Sequence, residues 1–302
     1  MDVLNELLLG VKGEYKIGYA LSHLTWFKVG GPAELLFKPS SAEDLSCLVK
    51  NNLGKMPITV IGAGSNLIIR DGGIDGIVVK LGKNFTDIQI LDQNQIAVGA
   101  GCLNFNLAQF CKANFIKNFE FLVGIPGTVG GGIVMNAGSY DSEFKDITLF
   151  VEGISSSGEL LTIAAADIGF GYRKSSLPDG FIVTKVIFKA EQGDSQKITE
   201  LMAEISQKRS STQPIKERTS GSTFVNPENV KAWQLIDKAG LRGYKIGDAQ
   251  TSKLHCNFII NLGNATAGEL ESLGEYIRSK VYEQSKIMLE WEIKMIGKHV
   301  KI

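Results

Sequence analysis

Ile58-Thr59-Val60-Ile61-Gly62-Ala63-Gly64-Ser65-Asn66-Leu67-Ile68-Ile69 is a β-branched run, a glycine loop and a second apolar run, and its reading decides the fold. Backbone N–H groups of such a loop can cradle a diphosphate, with Ser65 and Asn66 adding side-chain donors. A tight turn is the plainer alternative. A Walker loop is excluded because no Gly-Lys-Ser/Thr follows, and Leu67 breaks the Gly-x-Gly-x-x-Gly spacing. The loop also runs into a strand where a Rossmann site would open a helix. Working outward, Ser40-Ser41-Ala42-Glu43 has capping-box spacing, and Leu45, Leu48 and Val49 follow at helical intervals before Gly54. After the loop, the turn Asp71-Gly72-Gly73 leads to another strand at Ile77-Val78-Val79.

A second glycine region lies in Phe121 to Tyr140, twenty residues with no charge. That length would cross a bilayer, but six glycines and Pro126 would cost a lipid-facing helix about 1 kcal/mol per Gly and ~3 for Pro. A buried ligand-binding loop is the better reading. Gly124-Ile125-Pro126-Gly127-Thr128-Val129-Gly130-Gly131-Gly132 carries three consecutive glycines, more than a turn requires, so a flat ligand can lie against bare backbone. Two glycine loops flanking strands suit a long, planar, diphosphate-containing cofactor, and FAD is such a molecule.

Lys plus Arg and Asp plus Glu each number 32 in 302 residues, so no net basic charge is available for a nucleic-acid backbone. The four cysteines show no Cys-x-x-Cys pair or zinc-ligand spacing, so neither a disulfide scaffold nor a metal site is expected. Asp2, Glu6 and the short run Leu7-Leu8-Leu9 do not make a signal peptide, and the protein reads as cytoplasmic, away from membranes. The length predicts two domains. Residues 1–191 form the first, with a helix through Leu103, Leu107, Phe110 and Cys111 and strands near 149–154, 160–163 and 181–188. Residues 192–302 form the second. It starts with a helix through Ile198, Leu201, Met202 and Ile205, and continues with a polar loop from Arg209 to Thr223 and a short helix around Trp233. A strand at 257–262 and a helix capped by Thr266 follow, and alternation of Leu289, Trp291, Ile293 and Met295 with charged residues predicts a final strand.

Several segments also carry a resemblance. Thr25-Trp26-Phe27-Lys28-Val29-Gly30-Gly31-Pro32, the Gly62 loop, Glu120 to Gly131 and Met135-Asn136-Ala137-Gly138 resemble the UDP-N-acetylenolpyruvoylglucosamine reductases. So do Gly171-Tyr172-Arg173-Lys174-Ser175, Gly221-Ser222-Thr223-Phe224, Ala239-Gly240-Leu241 and Leu289-Glu290-Trp291-Glu292-Ile293. The likeness spans nearly the whole chain in one order. It implies an α+β chain: an FAD-binding domain of the vanillyl-alcohol-oxidase (PCMH-type) fold, then a smaller α+β substrate-binding domain whose last strand returns to the active site. The family uses FAD and NADPH to reduce the enolpyruvyl ether of a UDP sugar to UDP-N-acetylmuramate for peptidoglycan. A monomer acting on that small molecule is expected. His23 and Cys102 lie outside the two central loops, which favours noncovalent FAD.

By this resemblance, hydride from the flavin reaches the terminal vinyl carbon and leaves an enolate-like charge that needs stabilisation and a proton. Arg173 is assigned to the substrate carboxylate, Ser222 to the proton and Glu292 to a catalytic role beside it. Cofactor contacts fall on Gly62, Ala63, Gly64, Ser65, Asn66, Leu67, Gly124, Pro126, Gly127, Thr128, Gly130, Gly131 and Arg209. Substrate contacts fall on Tyr172, Asn226, His255 and Asn257. Val225 and Leu254 stand where the family often has lysines. Another flavin oxidoreductase of the same fold, or a flavoprotein that binds a sugar nucleotide without turnover, are the alternatives; the intact Arg173, Ser222 and Glu292 set argues against both.

Overall fold

A computed structural model describes residues 2–91 and 94–300. Strand Ile58–Val60 lies parallel to Ile74–Val79, Ile58 facing Ile77 and Val60 facing Val79. Parallel neighbours need a crossover, and here it holds the glycine loop. A four-stranded sheet is thereby completed in the order Glu14–Ala20, Pro32–Lys38, Ile74–Val79, Ile58–Val60. Strand Leu67–Ile69 joins a different partner, pairing parallel with Lys294–Ile296. The expected strand, loop, strand order is therefore present, with its two strands in separate sheets.

Contacts divide the chain into two compact units, the first Met1–Ile17, Leu35–Ala63 and Gly76–Ser206, the second Gly18–Glu34, Gly64–Asp75 and Gln207–Ile302. The division differs from the expected break after residue 191. Helix Ser195–Thr212 begins as part of the first unit because Ile198, Met202 and Ile205 pack into that unit's core. It also runs past Arg209, where a polar loop was expected, and stops only before Pro214, which cannot continue a helix.

In the first unit, an antiparallel sheet runs in the order Leu160–Ala164, Thr148–Ile154, Ile182–Lys189, Gln95–Gly99, Ile88–Leu91. Its core centres on aromatic contacts of Phe119 with Phe188 at 5.7 Å and Phe121 with Phe144 at 6.2 Å. The uncharged stretch supplies Phe121, Leu122 and Val123 to this core, then turns into the short helix Val129–Met135. No described helix is long and apolar enough to cross a membrane.

In the second unit, helix Ala267–Ser285 starts at a capping box between Thr266 and Glu269 and buries Leu270, Leu273, Ile277 and Val281. Gly274 leaves room on that face for the Trp291 ring. The expected final strand is shorter, Lys294–Ile296, since Trp291 bridges to Phe224 ahead of it. Asp71 accepts from the N–H groups of Ala267 and Gly268, each at 3.0 Å, so two orphan donors of the helix are satisfied. Next to it, the Arg70 guanidinium grips Glu271 with two bonds of 3.0 and 2.9 Å.

The hydrogen bond from Arg70 holds the Glu271 carboxyl below its ordinary value of 4.5. A lowered folded value means that the pair's contribution is complete above about pH 4.5 and is lost as the pH falls through the lowered value. Glu271→Gln is expected to cost about 1–2 kcal/mol at pH 7. Urea unfolding should show its deficit shrinking as the pH is lowered below 4.5; a deficit that does not shrink on acidification would contradict the ion pair.

Candidate active site

Gly62 leaves strand Ile58–Val60 directly against the second glycine region. A Cβ at Gly62 would stand 2.6 Å from Thr128 Oγ1. Thr128 in turn caps helix Val129–Met135, accepting from Gly131 N–H at 3.3 Å. Around it, Val129 donates to the Cys102 carbonyl, Gly130 to that of Ala100, and Asn104 to that of Gly127, at 2.9, 2.8 and 3.0 Å. The first unit thus brings Gly62, Gly127, Thr128, Gly130 and Gly131 together.

The three consecutive glycines have different reasons. Gly132 faces the Phe144 ring, and a Cβ at Gly130 would come 3.0 Å from the Cβ of Ala100, so packing within the protein excludes side chains at both. Gly131 is exposed and would meet only Thr128 Oγ1, at 3.4 Å. Nothing in the protein demands glycine there. Gly124 is held close by Ser139 Oγ, 2.9 Å from where its Cβ would lie. On the other flank of Gly62, the half-buried Lys80 donates to the Gly62 carbonyl at 2.5 Å.

Arg173 is in the same unit, with a left-handed φ of 57°. Its guanidinium donates to the Gly138 carbonyl at 2.9 Å, lies 4.0 Å from the Glu143 carboxylate and covers the Tyr172 ring at 4.9 Å. Asn136, fully buried, ties this corner together: it donates to Glu143 and to the Gly171 carbonyl and accepts from Lys145 N–H. Glu143 also pairs with Lys145 at 2.7 Å, which raises the affinity of that ammonium for its proton.

Ala63 and Pro126 also belong to the first unit, and the other assigned residues lie in the second. Gly64 passes so close to the Leu24 carbonyl that no side chain fits, and its own carbonyl accepts from Trp26 N–H. Asn66 donates its amide to the Glu292 carbonyl at 3.1 Å and accepts from Lys294 N–H at 3.0 Å. Glu292 N–H then donates to the Thr223 carbonyl at 2.9 Å, one residue beyond Ser222. Ser222, half-buried, therefore lies on a segment bonded directly to the one carrying Glu292.

Asn257 holds the other side of that segment. Its carbonyl accepts from Thr223 N–H at 2.7 Å, its Oδ1 from Phe224 N–H at 3.0 Å, and its amide donates to the Phe224 carbonyl at 2.8 Å. The Asn257 carboxamide thus braces the loop that carries Ser222. Asn226 likewise accepts from Ala232 N–H, starting helix Ala232–Lys238. His255 packs its ring edge-on against Phe258 at 4.8 Å, and burial lowers its affinity for a proton. Arg209 stays on its helix and donates to Gln213 at 3.4 Å. Near Leu254, where a lysine was missed, the Arg242 guanidinium donates to the Lys253 and Leu254 carbonyls.

Residues 213–296 match the model of the UDP-N-acetylenolpyruvoylglucosamine reductase C-terminal domain, and residues 33–164 that of an FAD binding domain. The UDP-N-acetylenolpyruvoylglucosamine reductase of Rickettsia felis is 60% identical over 96% of this chain and 98% of its own length. The chain belongs to the UDP-N-acetylenolpyruvoylglucosamine reductase family. A crystal structure of the reductase from Thermus caldophilus is similar at a TM-score of 0.81 and 36% identity, covering 95% of this chain and 99% of that one. A berberine bridge enzyme, with a TM-score of 0.50 and 16% identity over 64% of this chain and 44% of its own, shares the fold alone.

The reductase is thus an FAD-dependent oxidoreductase of the expected α+β flavoprotein type. Its residues fit that cofactor: bare backbone at Gly131 is open while its two neighbours are closed by packing. Sequence reasoning missed Lys80, Glu143 and the amide of Asn136. Lys80 has a signal, a lone cation ending the buried run Ile77-Val78-Val79, whereas Glu143 has none, because its role depends on a turn that brings Gly138 and Arg173 beside it.

Gly131→Val is expected to abolish FAD retention while leaving the fold intact, since the new side chain meets no wall of the protein and fills the opening. Flavin absorbance per mole of purified variant measures this, with a thermal melt as control. Native flavin content in the folded variant would displace the ring from Gly131.

Proposed function

We propose that the chain uses NADPH to reduce the enolpyruvyl ether of UDP-N-acetylglucosamine enolpyruvate to UDP-N-acetylmuramate, with Ser222 as the proton donor. The observation that carries the assignment is the bond from Glu292 N–H to the Thr223 carbonyl, which keeps a hydroxyl and a carboxyl on adjoining backbone segments. Bound FAD supplies hydride to the terminal vinyl carbon. The electron pair released by that addition spreads over the neighbouring carbon and the carboxylate, and the task of the protein is to stabilise it and then deliver a proton.

Arg173 takes the carboxylate, where a planar fork of donors suits paired oxygens better than an ammonium would. Its orientation comes from the Gly138 carbonyl and Glu143, both already in contact with the guanidinium. Ser222 Oγ gives its proton to the carbon bearing the charge; a serine is a weak acid in water, but an enolate is a strong base. Glu292 serves beside it in a protonated or hydrogen-bonded form, because a second bare negative charge would oppose the reaction. On the same reading the protein works in the cytoplasm as a monomer, holds FAD noncovalently, and provides a peptidoglycan precursor.

Ser222→Ala should leave reduction of the flavin by NADPH near its native rate, because that half-reaction delivers no proton to the substrate carbon. Reoxidation by the enolpyruvyl substrate should slow by ~10² to 10⁴-fold, roughly 3 to 5 kcal/mol of barrier. Stopped-flow single turnovers at saturating substrate separate the two steps. A fall of only a few-fold in reoxidation would move the proton to another donor, Glu292 first.

A further inference from the structure

Lys80 follows strand Ile74–Val79, and the parallel pairing of that strand with Ile58–Val60 sets it beside the point where the chain turns at Gly62. Its backbone N–H is tied to the Phe37 carbonyl and its ammonium to the Gly62 carbonyl. The side chain is half-buried, yet among the described residues it has no carboxylate partner. Burial, with a smaller contribution from the charge of Lys38, loosens its hold on a proton. Removing an ammonium from water is costly without a counter-charge, and an anionic ligand beside Lys80 would supply one. The carboxyl ends of parallel strands are also where α/β sheets accept anionic ligands.

We propose that Lys80 binds the cofactor, its ammonium meeting the FAD diphosphate where the chain turns at Gly62. The assignment deepens the reading of the Gly62 loop as the diphosphate cradle and rests on it. A lysine that only braced the loop would need its hydrogen bond to Gly62 and not its charge. A lysine that meets the diphosphate needs the charge, and without FAD that charge is a burden on the fold. The two roles therefore predict opposite effects of neutral substitutions on the apoprotein.

The test strips FAD from purified holoprotein and retitrates it, following quenching of flavin fluorescence, for Lys80→Gln, Lys80→Met and Lys80→Arg. Lys80→Gln keeps a donor for Gly62 without charge, Lys80→Met keeps neither, and Lys80→Arg keeps both. Weakening of FAD affinity by about 10- to 100-fold in Lys80→Gln and Lys80→Met is expected, from the loss of one charge-assisted bond. Lys80→Arg should stay within about 3-fold, as a cation is retained. Thermal midpoints of the two neutral apoproteins should equal or exceed the native one. Native affinity in Lys80→Gln, or a lowered apoprotein midpoint in both neutral variants, overturns the proposal. Ser65→Ala tests the loop itself: native FAD affinity there overturns the cradle reading, whereas weakened affinity with a native Lys80→Gln overturns Lys80 alone.

Discussion

Thr223 is fully buried, and its polar groups are satisfied by two distant segments: the N–H by the Asn257 carbonyl and the hydroxyl by Ile259 N–H on one, the carbonyl by Glu292 N–H on the other. In a low-dielectric interior such a set is strong when complete and expensive when one member is missing. The positions of Ser222 and Glu292 depend on it. The network also extends through the Asn66 amide to Glu292 and through Lys294 N–H to Asn66, so residues more than two hundred apart in sequence share one ladder. Strand Leu67–Ile69, paired with Lys294–Ile296, is the continuation of that ladder as a regular element.

Charges in the two units follow the same rule of completion. Arg70 has Glu271, Arg173 has Glu143 and the Gly138 carbonyl, and Glu143 is shared with Lys145. Each pairing fixes a long side chain in one direction. Lys80 departs from the pattern, being directed at a carbonyl and neighboured by a lysine. The glycines divide in a similar way, since Gly130 and Gly132 are dictated by packing whereas Gly131 is open.

Much of this was legible in the sequence where local chemistry decides the outcome. The β-branched runs, the Thr266 capping box and the helix over Leu270 to Val281 are short-range signals, and they are present as expected. The glycine loops were legible because an excess of glycine has few explanations. Residue roles set by distant partners were not. The bracing role of Asn257 is not legible in sequence, since its bonds to Phe224 arise only when two loop segments 33 residues apart meet. That the first compact unit extends past residue 191 is not legible either, because periodicity shows that Ile198, Met202 and Ile205 share a face without showing which core they enter.

The central claim is that the Asn257 clamp sets the position of Ser222 for proton delivery. Its most direct test is stopped-flow kinetics of the Asn257→Asp holoenzyme, in which an ionised carboxylate has the same shape but cannot donate to the Phe224 carbonyl. The account predicts flavin reduction by NADPH at the native rate and reoxidation by the enolpyruvyl substrate slowed by about 10- to 100-fold, the kinetic equivalent of losing one buried hydrogen bond. Native reoxidation in a folded variant, or equal slowing of both half-reactions, would contradict it.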